Sequence, residues 1–349
     1  MGGATVSYDL GRGFSIMGRA VTDVYNTFDE AGIPIQSVET ALYQKRDQSF
    51  AETNLESRLS YETNLNERIS LNAFIGGNQM RQRTQTSSQT TSGGLALEGF
   101  FNINNSVATP TFDNELNERG INSIFGSASF GFDDWAYLDI TARNDWSSTL
   151  PDDANSYFYP AVTLSAVISE LANFDYNTVS FLKLRASYAN AGNDADPYRI
   201  TDIFDPLAPN FGSFARYGVP NSRNNPTLKP EFTTEIEFGA EAKFFANRFG
   251  IDLAYFSRST VDQIFPVPSS STTGYSSILL NAGEMKNSGV EVAITGRPIQ
   301  TKNFAWDLGF NISSLKNEVV SLADGVESIN MGGTWAADCL LYTSPSPRD

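Results

Sequence analysis

The 349-residue chain carries 40 acidic and 24 basic side chains, a formal net charge of −16, no histidine and one cysteine. This balance argues against nucleic-acid binding, which needs clustered Lys and Arg to neutralise phosphates. The missing histidine removes His-based triads and most zinc sites, and a lone cysteine excludes an intrachain disulfide framework. Aromatics reach 12%, charged residues only 18%, and no apolar run is long enough for a transmembrane helix. Abundant Phe, Tyr, Gly, Ser, Thr and Asn without helical periodicity indicates an all-β chain.

In chain order, period-two alternation and turn signals predict about twelve strands. They lie near 3–9, 14–28, 48–63, 67–83, 119–132, 135–147, 157–170, 178–190, 231–245, 248–262, 285–298 and 303–318. The clearest run is 233–244, where Ile236, Phe238, Ala240, Ala242 and Phe244 share one face and Glu235, Glu237, Gly239, Glu241 and Lys243 the other. Leu182, Leu184, Ala186 and Tyr188 likewise oppose Lys183, Arg185 and Ser187, and Phe304, Trp306, Leu308, Phe310 and Ile312 form a further apolar row. Connections alternate. Those at 10–13, 64–66, 133–134, 171–177, 246–247 and 299–302 are short; those at 29–47, 84–118, 191–230 and 263–284 are long, and 148–156 is intermediate.

This pattern has two readings. A soluble sandwich, such as an adhesin-like carbohydrate-binding protein, would bury the apolar faces against a second sheet. A membrane barrel would turn them to lipid and the polar faces to an aqueous lumen. Strand length favours the barrel, because about 9–11 tilted residues cross a bilayer while soluble strands average about 5–6. So does the placement of every long loop on one side.

The ends read differently from the body. No basic segment followed by an apolar core opens the chain, so no signal peptide is visible. The last eleven residues, Cys339-Leu340-Leu341-Tyr342-Thr343-Ser344-Pro345-Ser346-Pro347-Arg348-Asp349, resemble the translation of a sequencing adapter. The expected fold therefore occupies 1–338, with 339–349 outside it.

Candidate functional residues fall in two sets. Lys183, Arg185, Glu235, Glu237 and Glu241 are the expected lumen-facing wall, where solvation and cross-strand pairing are the simplest role. Phe211, Phe214 and Tyr217 in the 191–230 loop, with Tyr198 and Trp146, are candidate substrate contacts through their aromatic faces. For Trp146, Tyr157 and Tyr159, near strand ends, an interfacial aromatic girdle is the favoured alternative. Asn193-Asp194-Ala195-Asp196 and Pro151-Asp152-Asp153 lack the spacing of a calcium loop and read as solvated acidic turns. Gly11-Arg12-Gly13 has Ile16 in place of a third glycine and no following helix, so it is a tight turn. Asn247-Arg248 reads likewise. No catalytic constellation, metal site or cofactor site is expected, and an outer-membrane enzyme is disfavoured without a histidine base.

Several segments, in order over roughly 124–322, resemble the barrel of SusC/RagA-type TonB-dependent outer-membrane transporters of Bacteroidota. They include Ala142-Arg143-Asn144-Asp145-Trp146-Ser147-Ser148, Tyr157-Phe158-Tyr159-Pro160-Ala161 and Phe181-Leu182-Lys183-Leu184-Arg185-Ala186-Ser187-Tyr188. Asn225-Pro226-Thr227-Leu228-Lys229-Pro230-Glu231 is the most specific, followed by Asn281-Ala282-Gly283, Asn287-Ser288-Gly289-Val290-Glu291 and Trp306-Asp307-Leu308-Gly309-Phe310-Asn311. The resemblance implies about twelve strands of a larger, roughly 22-stranded up-and-down barrel in the bacterial outer membrane. The family's plug domain has no counterpart in this sequence. It also implies import of glycans or peptides with a SusD-like surface lipoprotein, driven by TonB, ExbB and ExbD through the plug. For the 225–231 segment the favoured role is structural, with Pro226 and Pro230 setting the entry into the next strand.

Overall fold

The computed structural model describes residues 1–172, 174–322, 328–330 and 340–342. Its strands are β1 (Gly2–Gly11), β2 (Phe14–Ile33), β3 (Leu42–Asn64), β4 (Ile69–Leu95), β5 (Ser106–Phe132), β6 (Ala136–Ser147), β7 (Ser156–Val167) and β8 (Val179–Asn193). Next come β9 (Asp205–Phe211), β10 (Phe214–Gly218), β11 (Ser222–Arg223), β12 (Glu231–Phe244), β13 (Phe249–Val261), β14 (Ile264–Pro268) and β15 (Ser277–Asn281). The last are β16 (Glu284–Gln300), β17 (Ala305–Ser321), β18 (Ser328–Asn330) and β19 (Leu340–Tyr342).

Twelve of these form one antiparallel sheet in the order β1-β2-β3-β4-β5-β6-β7-β8-β12-β13-β16-β17. Every neighbour in the sheet is thus the next long strand in sequence, the up-and-down order the alternation predicted. The remaining strands make small sheets, β10-β9, β11-β15-β14 and β18-β19, the first two inside the long loops. The 339–349 tail lies largely outside the described residues; only Leu340–Tyr342 is described, paired with Ser328–Asn330.

The register gives each wall face its chemistry. Leu138, Leu164, Ala186, Phe238, Tyr255 and Val290 lie opposite one another in a continuous row across β6, β7, β8, β12, β13 and β16. Leu164 and Phe238 on this row are each 56% exposed, which water would penalise and hydrocarbon would not. One position along, Ser165, Arg185, Gly239, Ala254, Glu291 and Ser313 form a row on the opposite face.

The short turns work by backbone chemistry. Asp133 and Asp134 take φ 45° and 57°, the positive pair a two-residue hairpin requires and Asp tolerates. The β12–β13 turn is longer in this sense than the Asn247-Arg248 expectation. Phe245, Ala246 and Asn247 all have positive φ, between 53° and 62°.

Three expectations need correction. The 29–47 and 84–118 loops are mostly strand, because β2, β3, β4 and β5 continue well past membrane thickness. Those extensions are mostly polar in sequence, so alternation carries little hydrophobic signal there. The strand predicted over 157–170 stops at Val167 and gives way to the helical turn α1 (Ile168–Leu171). The loops 191–230 and 263–284 are not structureless but carry short strands.

Two compact units are distinguished, residues 1–8, 16–58 and 77–122, and residues 9–15, 59–76 and 123–349. The first contains its own small core. Tyr43 and Leu95 are buried, the Tyr43 hydroxyl donates to Glu30 at 2.5 Å, and its backbone N–H donates to Thr91 Oγ1 at 2.8 Å. Asn105, also buried, accepts from the Leu97 N–H and donates to the carbonyls of Leu97 and Phe100.

Candidate functional site

On the polar wall face of the second unit, charges are placed by register and largely satisfy one another. Arg185 reaches Glu237 Oε1 at 3.1 Å and Asp252 Oδ1 at 3.0 Å, tying β8, β12 and β13 together. Its guanidinium lies over Gly239, where an added Cβ would come within 2.3 Å. Glycine is therefore what lets the arginine lie flat along the wall. Glu235 pairs with Arg258 through Nε at 2.6 Å. Glu241 stands opposite Lys183 in the ladder, yet its ion-pair partner is Lys243 at 2.9 Å. All five predicted wall residues thus lie on one face, and four belong to these pairs. Such half-exposed pairs fix side-chain position more than they stabilise.

Towards the long-loop end this face closes into a built rim. Asp145, 4% exposed, accepts from Arg143 Nε and from the Tyr159 hydroxyl, each at 2.7 Å, while Arg143 also donates to Ser123 Oγ at 2.9 Å. Asp194, also buried, accepts from the hydroxyls of Ser147 and Thr149, the latter at 3.0 Å. Burying a carboxylate is costly unless donors surround it, and here they do. The 193–196 turn is therefore not a uniformly solvated acidic loop; Asp194 is internal and Asp196 external. Among the described residues no group of three or more His, Cys, Asp or Glu is placed to hold a metal.

The hydrophobic centre of the rim is Leu228, wholly buried, with Leu150, Tyr157, Ala195 and Leu279; Tyr159, Ile200, Phe232 and Ile264 pack around them. Leu228 belongs to the 225–231 segment, whose polar atoms anchor it. Asn225 Oδ1 accepts from the N–H and hydroxyl of Thr227, closing a local turn. Asn281 accepts from the Lys229 N–H at 2.8 Å and donates to the carbonyls of Lys229 and Asp262 at 2.8 and 2.9 Å. Glu231 Oε1 accepts from the Ile264 N–H at 2.6 Å. The segment and the Asn281-Ala282-Gly283 segment thus lock two loops to the strand ends, a structural role reached through tertiary contacts the sequence left unlinked.

The aromatic candidates separate. Tyr157 and Tyr159 share the face of Arg143 and Asp145 and pack in the rim, so the girdle reading fails for them. The signal was present: Phe158, Val162 and Leu164 form the apolar face of β7, which leaves Tyr157 and Tyr159 on the other. Trp146 lies on the same face of β6 as Leu138 and Ile140, at the loop end of the apolar surface. Phe211, Phe214 and Tyr217 sit in the β9–β10 hairpin, Phe211 opposite Phe214 and Gly212 at φ 60° between them, and all three are strongly exposed. Tyr198 is exposed with φ 62°, and it precedes Arg199 at the edge of a cavity described below.

A sheet wetted on one face, apolar and exposed on the other, and strung in up-and-down order between short turns and long loops defines the wall of an outer-membrane β-barrel. The comparisons make this specific. Residues 3–336 match the family described as TonB dependent receptor-like, beta-barrel, and the chain belongs to that family. It is 30% identical over 285 residues to TonB-dependent receptor P26 of Formosa agariphila, covering 80% of this chain and 28% of that protein. It is 31% identical over 221 residues to TonB-dependent receptor SusC of Bacteroides thetaiotaomicron, covering 59% and 21% respectively. The solved RagAB peptide transporter superposes with a TM-score of 0.79 at 22% identity, covering 97% of this chain and 38% of that one. The chain is thus part of a TonB dependent receptor-like β-barrel of the outer membrane, which sets aside the soluble-sandwich reading. It spans about a quarter of the length of the curated relatives it matches.

Proposed function

We propose that this chain forms part of the wall and outer mouth of an importer that takes up glycans or peptides together with a SusD-like surface lipoprotein, energised by TonB, ExbB and ExbD through a plug. The observation that carries the reading is the pairing of a lipid-facing apolar belt with a polar wall whose charges are mostly paired and which ends in a packed rim near loops with exposed aromatics. A passage for bulky hydrophilic cargo is served by a wetted wall with few unpaired charges to trap it. It also needs contact groups at the mouth. The family gives the receptor class, the solved RagAB peptide transporter supports a peptide cargo, and the sequence resemblance supports the glycan class and the lipoprotein partner. In this reading Phe211, Phe214 and Tyr217 are the outermost cargo contacts, with Tyr198 nearer the wall. Trp146 serves the membrane interface. Lys183, Arg185, Glu235, Glu237 and Glu241 line the lumen.

The test is uptake of fluorescent oligosaccharides and peptides by cells expressing the full-length receptor, with and without TonB, alongside affinity isolation of the receptor in detergent. The importer reading expects TonB-dependent uptake and a co-purifying lipoprotein. Uptake indifferent to TonB, or a receptor that binds neither cargo class, would overturn it.

A further inference from the structure

We propose that the cavity under the 193–199 bend, at the loop end of β8, is a binding subsite for an uncharged, hydroxyl-rich sugar unit; this rests on the importer reading and narrows its cargo. The cavity holds about 400 Å³, and Asn193, Asp196, Arg199, Ser222 and Ser277 surround an apolar floor of Ile264 and Leu279. That volume lies within the range of small-ligand pockets.

Its frame is fixed and its polar groups divide into two kinds. Leu279 belongs to the Leu228 cluster, so the floor is part of the rim. Glu231 spends both oxygens on the protein, accepting from the Ile264 N–H at 2.6 Å and from Asn193 Nδ2 at 3.1 Å. Asp194 is held by Ser147 and Thr149. Asp196 and Arg199 are different. They stand 4.0 Å apart with side chains 81% and 48% exposed, a loose pair that a ligand can enter at little cost.

Charge selects the ligand. An anionic cargo would meet three carboxylates, Asp194, Asp196 and Glu231, against the single cation Arg199. A cationic one would find the lone pairs of Asp194 and Glu231 committed to protein donors, leaving Asp196, whose charge Arg199 offsets. Adjacent hydroxyls suit the site without such conflict. One donates to the Asp196 carboxylate, the next accepts from the Arg199 guanidinium, and the ring's C–H face lies on Ile264 and Leu279.

The experiment is calorimetric titration of the full-length receptor in detergent with three probes: neutral hexasaccharides from starch and mannan, sulfated carrageenan hexasaccharides, and a hexapeptide mixture. Neutral hexasaccharides should bind most tightly. Ser277→Trp, which fills the cavity, and the charge-removing double variant Asp196→Asn/Arg199→Gln should each weaken them about tenfold or more, with heat-modifiable barrel migration unchanged. Should Ser277→Trp not assemble, the exposed double variant decides. Unchanged affinity in the assembled variants, or preference for the sulfated or peptide probe, would overturn the subsite. Failure of the wild type to bind any of the three probes would instead overturn the importer reading.

Discussion

Phe238 and Leu228 are ten residues apart and both strongly apolar, yet Phe238 is 56% exposed and Leu228 not at all. One belongs to the wall, where an apolar side chain is stabilised by lipid rather than by enclosure. The other belongs to the rim, where three loops converge and the side chain is enclosed as in a soluble core. The wall tolerates any apolar residue of suitable shape, because its solvent adapts. The rim does not, because its neighbours are fixed by Asn281, Glu231 and the strand ends.

Substitutions at the two places should therefore fail differently. The largest effect is expected for Leu228→Ala, at about 2–5 kcal/mol, since the enclosed site cannot collapse. It should raise amide exchange across 194–230 and 262–283 while leaving the wall strands protected; equal loosening of both would erase the distinction between rim and wall. Next comes Phe238→Lys, at about 2–4 kcal/mol if it sits near mid-bilayer. Folding efficiency into vesicles should drop, whereas Glu237→Lys, one residue away on the wet face, should cost less despite breaking the Arg185 pair. A reversed order would mean that the faces have been assigned the wrong way round. Asn281→Ala removes one accepted and two donated hydrogen bonds and should cost about 1–3 kcal/mol, read as easier proteolysis within the 263–283 loop. Preserved protease resistance would show that Leu228 alone holds the rim.

The smallest effect is at the opposite end. Arg68 donates to Asp133 through Nε at 2.7 Å, joining the β3–β4 and β5–β6 turns. The hydrogen bond from Arg68 holds the Asp133 carboxyl below the usual carboxylate range and raises the guanidinium. Because the folded value is depressed, the contribution is complete above pH 4 and is lost as pH falls through the folded value. Amide exchange in the two turns should rise on acidification below pH 4. Asp133→Asn should remove that dependence and leave the rim unaffected.

Much of the wall was legible because its environment is simple. Lipid on one side and water on the other impose a period of two, so Thr233 to Phe244 announces both its strand and its faces without a partner being known. The same logic explains the failures. Beyond the membrane β2 to β5 lose their apolar face, and the sequence from Thr84 to Thr91 reads as polar loop although it is strand. The ion pairs of Arg185 join residues 52 and 67 positions apart, and Asn281 grips Lys229 across 52. No local pattern encodes such separations; they follow from register.

The sequence by itself determined that this chain is an up-and-down succession of membrane-length strands, with one face for hydrocarbon and the other for water, because side-chain alternation is a local property of an extended backbone. Only the tertiary structure decided that Leu228, Asn281 and Glu231 build one rigid rim, that Asp194 turns inward while Asp196 stays out, and that Tyr157 and Tyr159 join that rim. Those outcomes depend on which loops meet after the strands have paired, and contact between distant segments is fixed by ladder register and enclosure, neither of which leaves a periodic trace in the chain.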